Sequence, residues 1–342
     1  MPLFALLHRL ADKALEWVHL LEKRQVGWKT LDRKSGKYMR EQLPLWKKLK
    51  LLLLFNPLTE WIDFTHAFRY WLHERTIEAK NKEETPKSKA QIQSFIDFYG
   101  IKMKDFEPAD IDAYETFQDF FIRRHTAASR PLFAPSDPTR AVNVADARVI
   151  VFPTVTLTKT LWIKGYNFSL LTCRTGAFLP PLDDAPKAEV WADGAIASYR
   201  LSPQDYHRYH SPVSGTVRWW KELDGDYYGV DPLAVRSRVP ILNANARSAI
   251  CIDSPEFGQV LFVAIGATDV GTVKLSEKAL TEGARIEKGE EVGLFEFGGS
   301  SIIVAFEKGR IEFDDDLQTE SYREVMVDVE VKTSLGRARS VS

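Results

Sequence analysis

The sequence predicts an α+β fold in which an N-terminal helical region packs on a β-rich domain. The first third of the 342 residues has the periodicity of helices. The remaining two thirds carry short segments rich in Val, Ile and aromatic residues, separated by Gly, Pro and Asp. A prior of about 150 residues per domain agrees with two regions, which we place at residues 1–125 and 126–342.

Two helices are predicted in the first region. Apolar residues recur at i, i+3, i+4 and i+7 over residues 92–99, after a capping box at 88–91 and before Gly100. A second helix is predicted from about residue 110 to residue 121. The charged stretch 80–89, which contains a proline, is expected to be a linker or mobile loop.

Strands are predicted for the second region at 190–201, 216–220, 260–265 and 301–306. Residues 211–217 and 283–290 look like the strand–turn–strand pieces of lipoyl- and biotin-carrier barrels. No lysine stands at a hairpin tip in a carrier motif, so a carrier function is excluded. The expected architecture is therefore a domain resembling a barrel-sandwich hybrid.

Composition excludes several classes of function. Lys+Arg 46 against Asp+Glu 47 gives a net charge of −1, which argues against a nucleic-acid-binding surface as the main function. The two cysteines form neither a disulfide framework nor a zinc motif, so no metal is expected. The phosphate-binding patterns GxGxxG and GxxxxGK[ST] and the nucleophile elbow GxSxG are absent.

The N-terminal part raises the question of membrane contact. No apolar run approaches the roughly 20 residues of a transmembrane helix, and the first residues do not form a signal peptide. We therefore expect an intracellular protein, cytoplasmic or peripheral on endomembranes. Residues 22–50 nevertheless carry +7 and precede the apolar stretch 49–55. This segment lies either on an anionic membrane surface or beside a helix that packs into the core.

Two short segments are chemically unusual. The first, DYHRYHSP at 205–212, places His207 and His210 three residues apart, and histidine is the side chain best suited to proton transfer near neutral pH. Paired histidines also occur as structural residues. The second, FGGSSIIV at 297–304, has Gly299 before Ser300. It forms either a tight turn or a self-cleavage site, because a serine hydroxyl can attack the carbonyl of the preceding glycine.

Together with VADARV at 144–149, these segments resemble the phosphatidylserine decarboxylase family. The resemblance extends over roughly residues 117–306 and includes FFIRR at 120–124, IKGYNFSL at 163–170, LSPQDYHRYHSP at 201–212 and NAR at 245–247. Ala147 replaces the glycine of the common ADG form, and Gly-Gly-Ser-Ser replaces the bacterial Leu-Gly-Ser-Thr. The Gly–Ser bond is retained.

The resemblance implies that the Ser300 hydroxyl attacks the Gly299 carbonyl, with His210 as the base and Asp146 holding its imidazole in the right tautomer. Cleavage gives chains of residues 1–299 and 300–342, which stay associated. Ser300 becomes a self-derived pyruvoyl group that replaces PLP as the electron sink, and no metal is required. His207 then returns a proton to the substrate, with His210 as the competitor for this role.

The resemblance implies a place in phospholipid biosynthesis, with phosphatidylserine converted to phosphatidylethanolamine and carbon dioxide. Two alternatives stay open. The same chemistry would serve a free amino acid, including an aromatic one, and an unprocessed homologue would act only as a binding module. The oligomeric state is also open, with a homodimer among the alternatives.

Overall fold

The structure is a computed structural model that describes residues 29–40, 81–158, 189–225, 245–266, 273–296 and 300–339. The apolar stretch 49–55, most of the basic segment around it and the IKGYNFSL motif lie outside these ranges. The eighteen strands of the described residues are β1 (Lys29–Asp32), β2 (Lys37–Arg40), β3 (Phe106–Glu107), β4 (Arg124–His125), β5 (Arg140–Val142), β6 (Ala147–Phe152), β7 (Ala195–Leu201), β8 (Arg208–His210), β9 (Gly215–Leu223), β10 (Arg247–Ser254), β11 (Gly258–Ile265), β12 (Val273–Leu275), β13 (Arg285–Ile286), β14 (Glu291–Phe295), β15 (Ser300–Phe306), β16 (Ile311–Phe313), β17 (Met326–Val329) and β18 (Ser334–Ala338).

Ten of these strands form one sheet in the order β13-β9-β10-β11-β15-β7-β6-β17-β1-β2. Neighbouring strands in it run antiparallel, apart from the parallel pair of β1 and β17. Three smaller sheets pair β12-β14-β8, β16-β18-β5 and β3-β4. The described part of the chain is therefore mostly sheet, as the α+β prediction requires, and no closed barrel forms within it.

Helices are few and short in the described ranges. The α-helices are α1 (Ile92–Tyr99), α2 (Phe117–Phe121), α3 (Val155–Leu157) and α4 (Asp315–Tyr322), and the 3-10 helices are Pro86–Gln91, Met103–Asp105, Ile111–Ala113 and Glu189–Trp191. No helix among the described residues is long and apolar enough to cross a membrane.

The helix predicted at 92–99 is confirmed, and its N-terminal capping box is not. Gly100 ends α1 in the left-handed conformation (φ 67°) and donates its N–H to Ile96. The capping box does not form because Ser88 lies in the 3-10 helix that precedes α1, and its hydroxyl bonds to other residues. The Ser88 hydroxyl donates to the Glu83 carbonyl (2.8 Å) and accepts from the Phe117 amide (2.8 Å).

The second predicted helix is shorter than expected. Thr116 is the N-cap of α2, and its side chain and that of Asp119 form a reciprocal capping box. The chain before Thr116 is therefore non-helical apart from the 3-10 helix Ile111–Ala113. The helical expectation for the first region also fails at residues 29–40, which form β1 and β2. Strand β1 is held by parallel pairing with β17, almost 300 residues away.

Strand β15 lies between β7 and β11 in the middle of the main sheet. All seven of its residues are buried, because the sheet is covered on both faces. Ile302, Val304 and Phe306 belong to the larger hydrophobic cluster, whereas Ile303 and Ala305 belong to a second cluster on the opposite face. The continuous apolar sequence of β15 reflects this two-sided burial. The predicted strands at 216–220, 260–265 and 301–306 are confirmed, and at 190–201 the strand occupies Ala195–Leu201.

The two carrier-like pieces at 211–217 and 283–290 lie side by side. The Gly283 amide donates to the Val217 carbonyl (2.8 Å), and the Gly289 amide donates to the Ser211 carbonyl (2.9 Å). Beside them, β8 pairs with β14. These contacts bring the histidine motif against the strand that leads to Ser300.

Candidate active site

Ser300 is the first residue of β15 and pairs with Leu201 at the end of β7. Its side chain is fully buried, and its hydroxyl has no hydrogen-bond partner among the described residues. Gly299 lies outside the described residues. A buried hydroxyl without a partner loses its hydration without compensation, which costs roughly 1–3 kcal/mol. Such an atom is a candidate for a reactive role.

His207 lies just before β8 and is fully buried. Its carbonyl oxygen accepts a hydrogen bond of 2.8 Å from the Phe295 amide, which extends the pairing of β8 with β14. The imidazole packs on Phe121 of α2, with the ring centroids 3.8 Å apart. Nδ1 lies 2.9 Å from the Asp205 carbonyl oxygen, which can only accept a hydrogen bond. Nδ1 therefore carries the proton, and Nε2 is the basic nitrogen.

A tight turn at 202–205 immediately precedes Tyr206 and His207 in the chain. The Asp205 carboxylate accepts a hydrogen bond from the Ser202 amide (2.6 Å) and forms an ion pair with Arg148 of β6. Arg148 also approaches Asp328 of β17 (3.6 Å), and Arg123 donates to the Gln204 carbonyl (2.8 Å). No role for these residues is apparent from the sequence, although Arg123, Arg148 and Asp205 stand in the quoted motifs.

His210, at the end of β8, has partners at both ring nitrogens. Nδ1 lies 2.9 Å from the Gly289 carbonyl oxygen, so it donates, and Nε2 accepts from the Tyr206 hydroxyl at 3.1 Å. Burial lowers the pKa of His210 to about 4. The imidazole is therefore neutral near pH 7, with its tautomer fixed from both sides.

The Asp146 carboxylate is buried among donors. Arg130 reaches both of its oxygens (3.0 and 2.7 Å), His125 lies 2.9 Å from Oδ2, and the Val331 amide donates to Oδ1 at 2.8 Å. Burial opposes ionisation, but the hydrogen bonds from His125 and Arg130 outweigh it and hold the pKa of Asp146 well below its usual range. Asp146 and His210, both described, share no hydrogen bond.

Strand pairing places the two predicted histidines at different positions along β14. His207 is tied to Phe295, five residues before Ser300, whereas His210 pairs with Glu291 at the far end of β14. The strand register therefore places His207 closer than His210 to the connection that leads into Ser300. Asp146 contacts His125 and Arg130, which stand 21 and 16 residues before it and have no role that is apparent from the sequence.

The neutral state of His210 predicts a pH dependence of stability. The unfolded imidazole binds a proton below about pH 6.5, whereas the folded one stays neutral until about pH 4. The unfolded state therefore binds more protons in this window, and the free energy of unfolding falls by about 3 kcal/mol as the pH drops from 6.5 to 4. Asp146, whose pKa is already depressed below 3.8, contributes only below this window.

Urea unfolding of the Ser300→Ala chain at several pH values from 7 to 4 measures this loss. His210→Asn removes the titrating ring and keeps a side-chain donor near Gly289, so most of the dependence should disappear. An equal pH dependence in both proteins would show that His210 does not titrate in this way.

A pyruvoyl group would be formed from Ser300 itself, so its fit depends on the surroundings of that residue. The buried hydroxyl of Ser300, which has no partner among the described residues, suits such a conversion. Among the described residues, no group of three or more His, Cys, Asp or Glu side chains is arranged to hold a metal ion.

The fold and site define an α+β protein with a buried serine at the start of a central strand and two buried histidines in and just before β8. Comparison with known proteins narrows this class, because the family model for phosphatidylserine decarboxylase matches residues 117–332. Phosphatidylserine decarboxylase proenzyme 2 of Komagataella phaffii is 35% identical over 305 residues, and that of Saccharomyces cerevisiae is 34% identical over 315. The proenzyme of Clostridium perfringens strain SM101 is 36% identical over 234 residues. The chain belongs to the phosphatidylserine decarboxylase family.

The relatives differ in length. The alignments cover 89% and 91% of this chain but only 29% and 26% of the two fungal proteins. With the clostridial protein the match covers 68% of this chain and 75% of the relative. The chain thus spans less than a third of the fungal relatives and most of the bacterial one.

Proposed function

We propose that this chain is a pyruvoyl-dependent decarboxylase that cleaves itself between Gly299 and Ser300 and converts phosphatidylserine to phosphatidylethanolamine and carbon dioxide. The observation that carries the proposal is the buried Ser300 hydroxyl, without a partner among the described residues, at the start of β15. Family membership and the proenzyme names of the relatives support it.

Self-cleavage begins when the Ser300 hydroxyl loses its proton to a base and its oxygen bonds to the carbonyl carbon of Gly299. The Gly299–Ser300 C–N bond breaks, and the released amine takes up a proton, which leaves an ester. Removal of the Cα proton of residue 300 then breaks the Cβ–Oγ bond and releases the Gly299 carboxylate. The dehydroalanine that remains tautomerises to an imine, and water hydrolyses it to the pyruvoyl ketone and ammonia.

We propose His207 as the base, and His210, to which the resemblance assigns this role, stays the alternative that the variants below distinguish. His207 is tied to the strand that leads to Ser300, and the Asp205 carbonyl sets its Nε2 as the basic nitrogen. The basic nitrogen of His210 already accepts the Tyr206 hydroxyl. We therefore assign proton transfer at the Gly299–Ser300 bond to His207 and a supporting role to His210 and Asp146.

In decarboxylation, the pyruvoyl group supplies the electron sink that an added cofactor supplies in other enzymes. The chain's own residues hold and move the proton that must return to the substrate carbon. His207 is the proposed donor, because its backbone bonds to Phe295 in the strand that leads to residue 300. Phe121 covers its ring and keeps bulk water away from it.

The two chains formed by cleavage are proposed to stay associated. The smaller chain, residues 300–342, has 43 residues (342 − 299) and contains β15 and β17. Strand β15 pairs with β7 and β11, and β17 pairs with β6 and β1, all of which belong to the larger chain. Removing the smaller chain would break the main sheet in two places.

The proposal extends to the arrangement predicted from sequence. The N-terminal region up to residue 125 is proposed to present a membrane-facing surface, supported by the +7 charge of residues 22–50. Residues 126–342 then form the decarboxylase domain, in which the paired pieces at 211–217 and 283–290 support a barrel-sandwich hybrid. A homodimer and a peripheral position on endomembranes belong to the same proposal.

The intact mass of the purified wild-type protein tests the proposal. We expect two chains, of residues 1–299 and 300–342, the smaller one blocked by a carbonyl that reacts with hydroxylamine or borohydride. Phosphatidylserine vesicles should release carbon dioxide at least about 100-fold faster than free tryptophan, tyrosine or serine, because binding of the remote parts of a substrate raises its rate. Preference for a free amino acid would establish the alternative substrate. An intact chain of 39.0 kDa would indicate the unprocessed homologue.

A further inference from the structure

Three arginines lie in register on one face of the main sheet. Arg148 of β6 pairs with Arg200 of β7, which pairs with Ser301 of β15. On the other side of Ser301, Ile265 of β11 pairs with both Ser301 and Arg247 of β10. Directly paired residues of antiparallel strands have their side chains on the same face of the sheet. The three arginines therefore share a face with Ser301, the residue after Ser300.

All three arginines are buried, with 6% of each residue exposed. A guanidinium group keeps its charge when it is buried, so its burial costs free energy unless negative charge lies nearby. Arg148 forms ion pairs with Asp205 and Asp328. Burial lowers the pKa of Arg247 to about 10, so Arg247 is still charged near pH 7. Buried positive charge is therefore concentrated at this level of the sheet.

The side chains of Arg200 and Arg247 extend toward the end of the sheet at which β15 begins. Arg200 Nη1 lies 3.4 Å from the hydroxyl of Ser202, which stands one residue beyond the β7 residue that pairs with Ser300. Arg247 Nη1 donates to the carbonyl of Asn245 (2.8 Å), which precedes β10. Both guanidinium groups thus reach past the row of Ser301 toward the level of residue 300.

The spacing of these groups fits the headgroup of phosphatidylserine. The proposed reaction brings the substrate amine to residue 300, and only Cα, Cβ and Oγ of the headgroup separate this amine from the phosphorus, a span of about 5 Å. Strands lie about 4.8 Å apart, and β7 and β10 are one and two strands from β15. Because residue 300 begins its strand, a ligand at that end is accessible from both faces of the sheet.

The chemistry of the reaction assigns the two arginines to the phosphate rather than to the carboxylate. Electrons leave the carboxylate when carbon dioxide departs, so a guanidinium ion paired with it would stabilise the ground state more than the transition state. The phosphodiester keeps its charge throughout the reaction. A planar guanidinium group can also bind two of its oxygens with parallel hydrogen bonds.

We propose that Arg200 and Arg247 bind the phosphodiester of the phosphatidylserine headgroup and so select a phospholipid over a free amino acid. The inference rests on the proposed function, because it adds specificity-determining residues to the same site. Arg148 is left out of the proposed site, since Asp205 and Asp328 already pair with it.

Binding to cleaved but inactivated enzyme tests the proposal without turnover. Borohydride reduces the pyruvoyl carbonyl to an alcohol, and calorimetry then measures the binding of glycerophosphoserine, which is the headgroup without acyl chains. Serine and inorganic phosphate are the comparison ligands. Arg200→Gln and Arg247→Gln each remove one charge, whereas Arg200→Lys and Arg247→Lys keep it. Arg285→Gln is the control, because Arg285 is exposed and bonds to Glu287 (2.8 Å).

We expect each glutamine variant to weaken the binding of glycerophosphoserine by about 10- to 100-fold, the effect of losing a hydrogen bond between charged groups. The lysine variants should lose about threefold to tenfold, because lysine keeps the charge without the bidentate geometry. Serine binding should change by less than about twofold in all variants, since serine has no phosphate, and Arg285→Gln should match the wild type.

Glycerophosphoserine binding at the wild-type level in both glutamine variants would overturn the proposal. Equal losses of serine and glycerophosphoserine binding would also overturn it, because they would indicate a structural role. Inorganic phosphate that binds the wild type as tightly as glycerophosphoserine would show a site for free phosphate and refute the headgroup assignment.

Two further measurements cover variants that do not fold and a chain that does not cleave. Completed self-cleavage shows that a variant is folded. If a variant fails this check, ¹⁵N-arginine spectra of the reduced wild type decide, because the Nε–H signals of buried arginines should shift with glycerophosphoserine and not with serine. Unchanged signals would refute the proposal. An intact wild-type chain would instead refute the proposed function, and the same titrations of that chain would test the phosphate site alone.

Discussion

Replacing Ser300 by alanine is expected to leave the chain intact at 39.0 kDa and to abolish decarboxylation. The hydroxyl is the nucleophile for cleavage, and the later departure of its oxygen with the Gly299 carboxylate leaves the dehydroalanine from which the pyruvoyl group forms, so its loss removes both activities together. We expect the rate of cleavage to fall by at least about 10³-fold, which is the effect of removing a catalytic nucleophile. The variant should fold normally, because the Ser300 hydroxyl has no partner among the described residues to lose.

The neighbouring serine provides a matched control. The Ser301 hydroxyl donates to the Tyr199 carbonyl (2.8 Å), and its side chain lies on the opposite face of β15 from Ser300. Ser301→Ala should therefore cost about 1 kcal/mol of stability and leave cleavage near the wild-type rate. Electrophoresis and intact mass report both variants. Cleavage in Ser300→Ala, or a block in Ser301→Ala alone, would place the processing bond elsewhere.

Local patterns in the sequence predict much of the fold. Strand β15 is recognisable because a run of buried apolar residues needs no partner to be identified, and α1 because its periodicity and Gly100 lie within nine residues. Strands β1 and β2 could not be found in this way. Parallel pairing with β17 determines β1, and that partner is almost 300 residues away. Tertiary pairing overrides local preference at such positions.

The candidate site likewise contains residues that can be predicted from the sequence and residues that only the fold brings together. His207 and His210 share a local motif, and Ser300 follows two glycines, so all three residues can be recognised in the sequence. The partners of Asp146 are not, since Arg130 and His125 stand 16 and 21 residues before it and meet its carboxylate only in the folded chain. The same holds for Arg148, which meets Asp205 across 57 residues of chain. The contacts of the two histidines are also needed to assign their roles, because the motif alone does not distinguish them.

The division of roles between His207 and His210 predicts different effects of the same substitution. His207→Asn retains a side-chain donor for the Asp205 carbonyl but removes the basic nitrogen. We expect it to slow self-cleavage by about 10²- to 10⁴-fold, the usual contribution of a general base. His210→Asn retains a donor for the Gly289 carbonyl and loses the acceptor for Tyr206. It should cost about tenfold, because only the position of the 205–207 segment is disturbed.

Hydroxylamine identifies the step at which His207 acts. It attacks the ester carbonyl of Gly299, which yields a hydroxamate on residue 299 and a free amine on Ser300, whereas the intact peptide bond does not react. If His207 takes the proton in the first step, no ester accumulates and hydroxylamine releases no fragment from His207→Asn. If His207 acts only in removing the Cα proton, the fragment appears and the base of the first step is another residue. Blocked cleavage in His210→Asn together with normal cleavage in His207→Asn would assign the role of the base to His210. The register of β8 against β14 would then not determine which imidazole reaches Ser300.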